Sequence, residues 1–298
     1  MKALKCATKK EFEVLIISFR ASQLITSRRN PLVRRLKTLA TKEGREEHSL
    51  LLLEGTHLLK EALHASSLPV EIVATRPWLD KHCGLLENVP IHIPITEVTQ
   101  SVLEASLTTK KPDGVATLLP LKALPRPNDD VTFVLALDRL QDPGNLGTLF
   151  RTALAAEVEL LWLALGADPL SQKVLRASSG AVLHLPFQRI GMSEDEAIQG
   201  LVEKLELSIS RGHQVLGTFV PSSLEQGSVV PYWELDWTKP TVLVLGNEGS
   251  GLHPLVEACC THRITLPHSS FVDSLNVASA AVPLLLERRR AKMSSEQN

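Results

Sequence analysis

The chain has 298 residues, 44% apolar and 22% charged, with a formal net charge of −1. This is globular material enough for two domains, without internal repeats or low-complexity segments. Aromatic residues reach only 4%, which argues against a surface built on base-stacking platforms.

The charge is unevenly spread. Residues 1–45 carry twelve Lys and Arg against three Glu, a net of +9, so the remaining 253 residues sum to −10. Such asymmetry hints at a polyanionic partner. Four cysteines form no CxxC and no zinc-ligand spacing, a pattern that suits a reducing, cytoplasmic compartment. The apolar run Val14–Ile17 is too short for a signal segment or a membrane span. The basic stretch 1–22 reads as an extension, a presequence or an over-extended start.

In chain order, Asn30-Pro31 signals a helix start, with Leu32, Leu36 and Leu39 at helical spacing and Arg34, Arg35 and Lys37 largely off that stripe. Strands are expected at Leu50–Leu53, Val70–Ala74, Ile91–Ile93 and Val115–Leu119, and a helix at Thr56–Ala65. This α/β unit, 23–118, ends in the proline-rich segment 119–130, read as a linker. The second unit, 131–298, shows strands at Thr132–Leu137, Glu159–Ala164, Gln214–Phe219, Thr241–Leu245 and Arg263–Leu266. A last helix begins near Ser274, and Pro283 is expected to weaken or kink it. Near-continuous apolar strands separated by helices predict a mostly parallel sheet covered on both faces.

Three strand ends carry unusual loops. LDRLQDPGNLGTLFRTA (137–153) offers Asn145 as a helix cap, Gly147 for close backbone approach, and Arg151 one turn further on to meet a phosphate or oxyanion. LGNEGSGL (245–252) has three glycines around Glu248. Without a following Lys it is not a P-loop, and no GxGxxG follows a strand. LPHSSFVDSLNVASAA (266–281) opens a helix at Ser274, Leu275 and Asn276. His253, His262 and His268 define no ligand set and read as surface histidines; no metal is expected.

In this order and spacing, DPGNLGTLFR, LGNEGSGL and LP…SLNV resemble the three motifs of the SpoU, or TrmH-like, RNA ribose 2'-O-methyltransferases of the SPOUT superfamily. ITSRRNPLVRRLKTL (25–39) and LLLLEGTHLLKEAL (50–63) resemble that family's substrate-binding domain. His268 stands where methionine is common, and Ser270 where glycine is common. The resemblance implies a trefoil-knotted α/β catalytic domain, an exception to the rule that chains avoid knots. It implies S-adenosylmethionine as cofactor and a homodimer whose site uses both subunits. It places the cofactor against Gly246, Asn247, Leu266, Leu275 and Thr218, and the polar site residues at Arg151, Asn145, Glu248, Ser274 and Asn276. Arg151 would bind a phosphate and stabilise a developing alkoxide, and Asn145, Glu248 and Asn276 would orient Arg151 or the ribose. Arg28, Arg29, Arg34, Arg35 and Lys37 would contact RNA phosphates. Ribosomal RNA is favoured as substrate. The alternatives are transfer RNA, or a non-catalytic RNA-binding or ribosome-assembly factor that keeps the fold.

Overall fold

A computed structural model describes residues 24–128, 130–219, 229–269 and 271–296. The segment 1–22 and Ser270 lie outside the described residues. The chain divides into two compact units. One holds the described residues up to Leu124 together with Leu170–Leu183, the other Pro125–Pro169 and the chain from His184 on.

The first unit contains helices α1 (Pro31–Leu39) and α2 (Lys42–His48), strand β1 (Leu50–Glu54), helix α3 (Thr56–His64) and strand β2 (Glu71–Ala74). The short helices α4 (Arg76–Lys81) and α5 (Cys83–Leu86), strand β3 (Ile95–Glu97), helix α6 (Gln100–Ser106) and strand β4 (Val115–Pro120) follow. The Asn30 side chain accepts the Leu32 amide at 2.9 Å and so caps α1. Leu32, Val33, Leu36 and Leu39 of α1 are buried with Leu52, Val73 and Leu118 on one side of the sheet. Leu59, Ile72, Trp78 and Val115 form a second cluster. The strand order is β1-β4-β2-β3, with β4 antiparallel to both neighbours and β2 parallel to β3.

The strand expected at Ile91–Ile93 lies instead at Ile95–Glu97, pairing Ile95 with Ile72. The Ile93 amide is turned back onto the Pro90 carbonyl at 3.0 Å, so its buried side chain belongs to a turn. Two nearby prolines, each without an N–H, decide the register that apolar content alone left undecided.

The second unit is built on strands β5 (Phe133–Asp138), β6 (Leu160–Ala164), β7 (Phe187–Ile190), β8 (Gln214–Phe219), β9 (Val229–Pro231), β10 (Thr241–Leu245) and β11 (His262–Thr265). All pair in parallel, in the order β7-β6-β5-β10-β8-β11-β9. The helices are α7 (Pro143–Ala155), α8 (Gln172–Ala177), α9 (Glu194–Ser210), α10 (Pro254–Ala258) and α11 (Val277–Ser295), of which α8 belongs to the first unit. Both edge strands are short and were not anticipated. β7 exposes Gln188 and Arg189, and β9 ends in proline, so neither shows the apolar run that marks the inner strands. α11 runs from Val277 to Ser295 as one helix with Pro283 inside it. Ala278, Ala281, Leu284 and Leu285 are buried along it, and such packing outweighs one lost backbone bond.

α8 packs within the first unit, where the Gln172 amide donates to the Leu52 carbonyl at 2.8 Å. Arg176 pairs with Glu54 at 3.4 Å, a carboxylate that also accepts the amides of Thr108 (2.8 Å) and Thr109 (3.0 Å).

Candidate active site

A cavity of about 780 Å³ opens in the second unit beyond the carboxyl ends of β8, β10 and β11. Open α/β sheets bind ligands at such ends. Its walls are the loop after β10 (Leu245–Gly249 and Gly251), the ends of β8 (Thr218, Phe219) and β11 (Ile264–Leu266), and His268. The rim is completed by Gln141, Asp142 and Asn145 and by Ser274–Val277.

The loop after β10 is tightly folded. Asn247 and Gly251 exchange backbone hydrogen bonds at 3.0 Å, and Gly251 takes a φ of +68° that favours glycine. The Asn247 side-chain carbonyl accepts the amides of Gly249 (2.9 Å) and Ser250 (3.1 Å), while its amide donates to the Arg139 carbonyl at 2.9 Å. A Cβ on Gly246 would stand 2.4 Å from the Gly251 carbonyl carbon and 2.5 Å from the Leu252 nitrogen, so only glycine fits.

Three polar residues, from the first turn of α7, the loop after β10 and the cap of α11, form one hydrogen-bonded chain. Asn276 Nδ2 donates to Asn145 Oδ1 at 2.9 Å, and Asn145 Nδ2 donates to Glu248 Oε1 at 3.2 Å. The Glu248 carboxylate also accepts the backbone amides of Gln141 and Asp142, each at 3.2 Å. Desolvation pushes its pKa up. The donors, from its own backbone, Asn145, Gln141 and Asp142, outweigh that and leave it below the usual carboxylate value. Glu248 is therefore held ionised with its lone pairs engaged. Asn276 caps α11, its Oδ1 accepting the Ala278 (3.0 Å) and Ser279 (3.2 Å) amides. Asn145 does not cap α7 as expected. Asp142 does, accepting the Asn145 amide at 2.8 Å, which frees the Asn145 side chain to join its neighbours.

Thr218, Gly246, Asn247, Leu266 and Leu275 line the cavity together with Asn145, Glu248, Ser274 and Asn276. Arg151 does not: it is exposed on α7, outside the lining. In the first unit Arg28, Arg29, Arg34 and Lys37 are exposed, whereas Arg35 is paired with Glu71 at 2.8 Å.

Sequence reading passed over Asp138, which ends the apolar strand β5 and is fully buried. It accepts Arg139 Nε at 2.8 Å and the His253 backbone amide at 2.7 Å, tying the β5 end to the loop after β10. Its signal was an acid directly closing an all-apolar strand. His268 also faces the cavity, its Nδ1 donating to the Leu266 carbonyl at 2.7 Å.

The donor set fits the adenosine portion of S-adenosylmethionine. Leu245, Ile264, Leu266 and Leu284 provide an apolar wall, and Gly246 lines the cavity where its loop closes tightly on the Gly251 and Leu252 backbone. Cofactor pockets combine such walls with a few placed polar groups.

Comparison with known proteins agrees with this geometry. Residues 132–285 match the SpoU rRNA Methylase family, and residues 30–117 match the MRM3-like substrate binding domain. An uncharacterized tRNA/rRNA methyltransferase of Synechocystis sp. is 38% identical over 276 residues, 91% of this chain and 95% of that protein. The 23S rRNA (guanosine(2553)-2'-O)-methyltransferase RlmP of Bacillus subtilis is 31% identical, with 89% and 98% covered. The AdoMet-bound rRNA methyltransferase from Sinorhizobium meliloti superposes with a TM-score of 0.71 at 27% identity, covering 91% of this chain and 98% of that one. The chain thus belongs to the SpoU rRNA methylase family and is an RNA methyltransferase that uses S-adenosylmethionine.

Proposed function

We propose that this enzyme methylates a ribose 2'-hydroxyl of ribosomal RNA, in the cytoplasm, as a homodimer. The observation that carries the reading is the chain Asn276–Asn145–Glu248, which fixes three motif loops around one cavity mouth. A relative with 31% identity is named as a 23S rRNA 2'-O-methyltransferase, which favours ribosomal over transfer RNA. Of the two domains, 23–118 binds RNA and 131–298, apart from the segment 170–183 that packs with the first unit, carries the transfer, with 119–130 as the connecting stretch of chain.

The bound cofactor supplies an electrophilic methyl on a sulfonium, a leaving group that needs no metal. Gly246, Asn247, Leu266, Leu275 and Thr218 hold it. The Asn145 and Asn276 side chains, locked by each other and by Glu248, orient the attacking hydroxyl along the line of displacement. Glu248, ionised and engaged by four donors, fixes Asn145 rather than taking the proton. Arg151 acts from the partner protomer, where its guanidinium binds the adjacent phosphate and stabilises the developing alkoxide. Its exposure outside its own cavity supports a role across an interface. Exposed Leu154, Val282 and Leu286 on α7 and α11 offer apolar surface for that contact. The trefoil knot is part of the same reading, supported by the match of residues 132–285 to the SpoU rRNA Methylase family.

Mapping 2'-O-methylation in ribosomal RNA from cells with and without the gene, together with transfer of labelled methyl to that RNA in vitro, tests the proposal. One ribose methylated only when the gene is present supports it. Methylation confined to transfer RNA reassigns the substrate.

A further inference from the structure

A second cavity, of about 660 Å³, lies wholly within the first unit. β1 and β2 are each antiparallel to β4, and β3 is parallel to β2, so the carboxyl ends of β1, β2 and β3 point the same way. The cavity sits at that end: Thr56 follows β1, Thr75 and Arg76 follow β2, and Val98 to Gln100 follow β3.

Its floor holds one ion pair and one carboxylate that is already hydrogen-bonded. Arg76 is bound by the Glu97 carboxylate, with Nε at 3.2 Å and Nη2 closer still. Asp113 is occupied by the Thr56 backbone amide at 2.8 Å. An ion pair beside a carboxylate gives little reason for a bare anion to enter, but offers donors and acceptors to a neutral heterocycle. One wall is aromatic. The His82 ring stacks on Trp78 with centroids 4.7 Å apart and planes at 22°. Both rings are fixed: His82 Nδ1 donates to the Trp78 carbonyl at 3.0 Å, and Trp78 Nε1 donates to Thr56 Oγ1 at 2.7 Å. Trp78 is 3% exposed and supports the half-buried His82 from behind. Exposed Lys81 stands at the rim. An aromatic content of 4% rules against an extended platform, yet one backed ring is enough for one base.

We propose that this cavity receives a single unpaired nucleotide of the RNA substrate, its base against His82 and its phosphate on Lys81. The assignment rests on the RNA-binding reading above and adds to it a specific pocket. Proteins read RNA chiefly at splayed, unstacked bases, and a lone pocket of this kind would anchor the register of the bound RNA relative to the basic helix α1.

The test uses the full chain and fluorescein-labelled oligo(rA) and oligo(rU), with anisotropy as readout and calorimetric S-adenosylmethionine binding as control. His82→Ala should weaken RNA binding about tenfold. His82→Phe should restore it, and Lys81→Ala should lower the salt slope by about one. Cofactor affinity should stay unchanged in all three. Ultraviolet crosslinking should yield a labelled peptide spanning 75–83. Wild-type affinity in His82→Ala, or crosslinks confined to 28–37, would overturn the pocket and leave the RNA reading standing. RNA binding absent from the wild-type chain would overturn both.

Discussion

Asn145 and Asn276 are 131 positions apart in sequence, and their side chains meet at 2.9 Å. The bond joins the start of α7 to the cap of α11, so either amide depends on the other for its orientation. Asn145→Ala and Asn276→Ala should each lower turnover by about 10- to 100-fold, the range expected when a reacting group loses alignment. Cofactor affinity should change far less. The double variant should be little worse than either single one, because the two act as a unit. Methyl-transfer kinetics with calorimetry check this, and additive losses would separate the two roles.

Gly246→Ala should abolish measurable S-adenosylmethionine binding, because the new methyl would overlap the Gly251 backbone. A lowered melting temperature is expected with it. Unchanged affinity would mean that the loop after β10 is not the cofactor floor.

Glu248 is held below the usual carboxylate pKa, so its contribution to stability is present above the unfolded value and is lost as pH falls through the folded one. The loop network should therefore persist at neutral pH and loosen only in acid. Glu248→Gln should flatten the acid limb of a stability-versus-pH curve. As the group is exposed and screened, the change at neutral pH should be about 1 kcal/mol or less.

Arg151 offers a test of the dimer. If the site is shared, mixing impaired Arg151→Ala with impaired Asn145→Ala protomers rebuilds one complete site in each mixed dimer. About a quarter of wild-type activity should return. No recovery would confine the site to one protomer. Arg151→Lys keeps the charge without the bidentate fork and should remain strongly impaired.

The basic residues of α1 should separate into two kinds. Arg34→Ala and Lys37→Ala should weaken RNA binding across sequences and reduce its salt slope by about one each. Arg35→Ala should chiefly lower the melting temperature, because its guanidinium is already paired with Glu71. A large RNA-binding loss in Arg35→Ala would show that RNA displaces that pair.

Much of this was legible in sequence because the inner strands are apolar runs with sharp turn signals at their ends. Val242 to Leu245 and Leu160 to Ala164 are buried throughout. The edge strands were not legible, since Phe187–Ile190 is polar in its middle and Val229–Pro231 is only three residues long. The motif loops showed which residue types cluster, but not who bonds to whom. Both Asp142 and Asn145 are good caps, and only the contact with Glu248 decides which one caps α7. Arg35 differs from Arg34 only through Glu71, a partner 36 positions away that no local pattern reveals.

The position of β10 also governs how this protein is made. When a ribosome has released the chain as far as Phe219, β5 and β8 are both available, yet the strand that belongs between them is still to come. Each therefore shows an open ladder edge, the kind of surface that recruits other chains. At roughly 5–20 residues per second, synthesis of 220–245 takes about one to five seconds. For that interval the growing chain carries two strands whose shared neighbour does not yet exist.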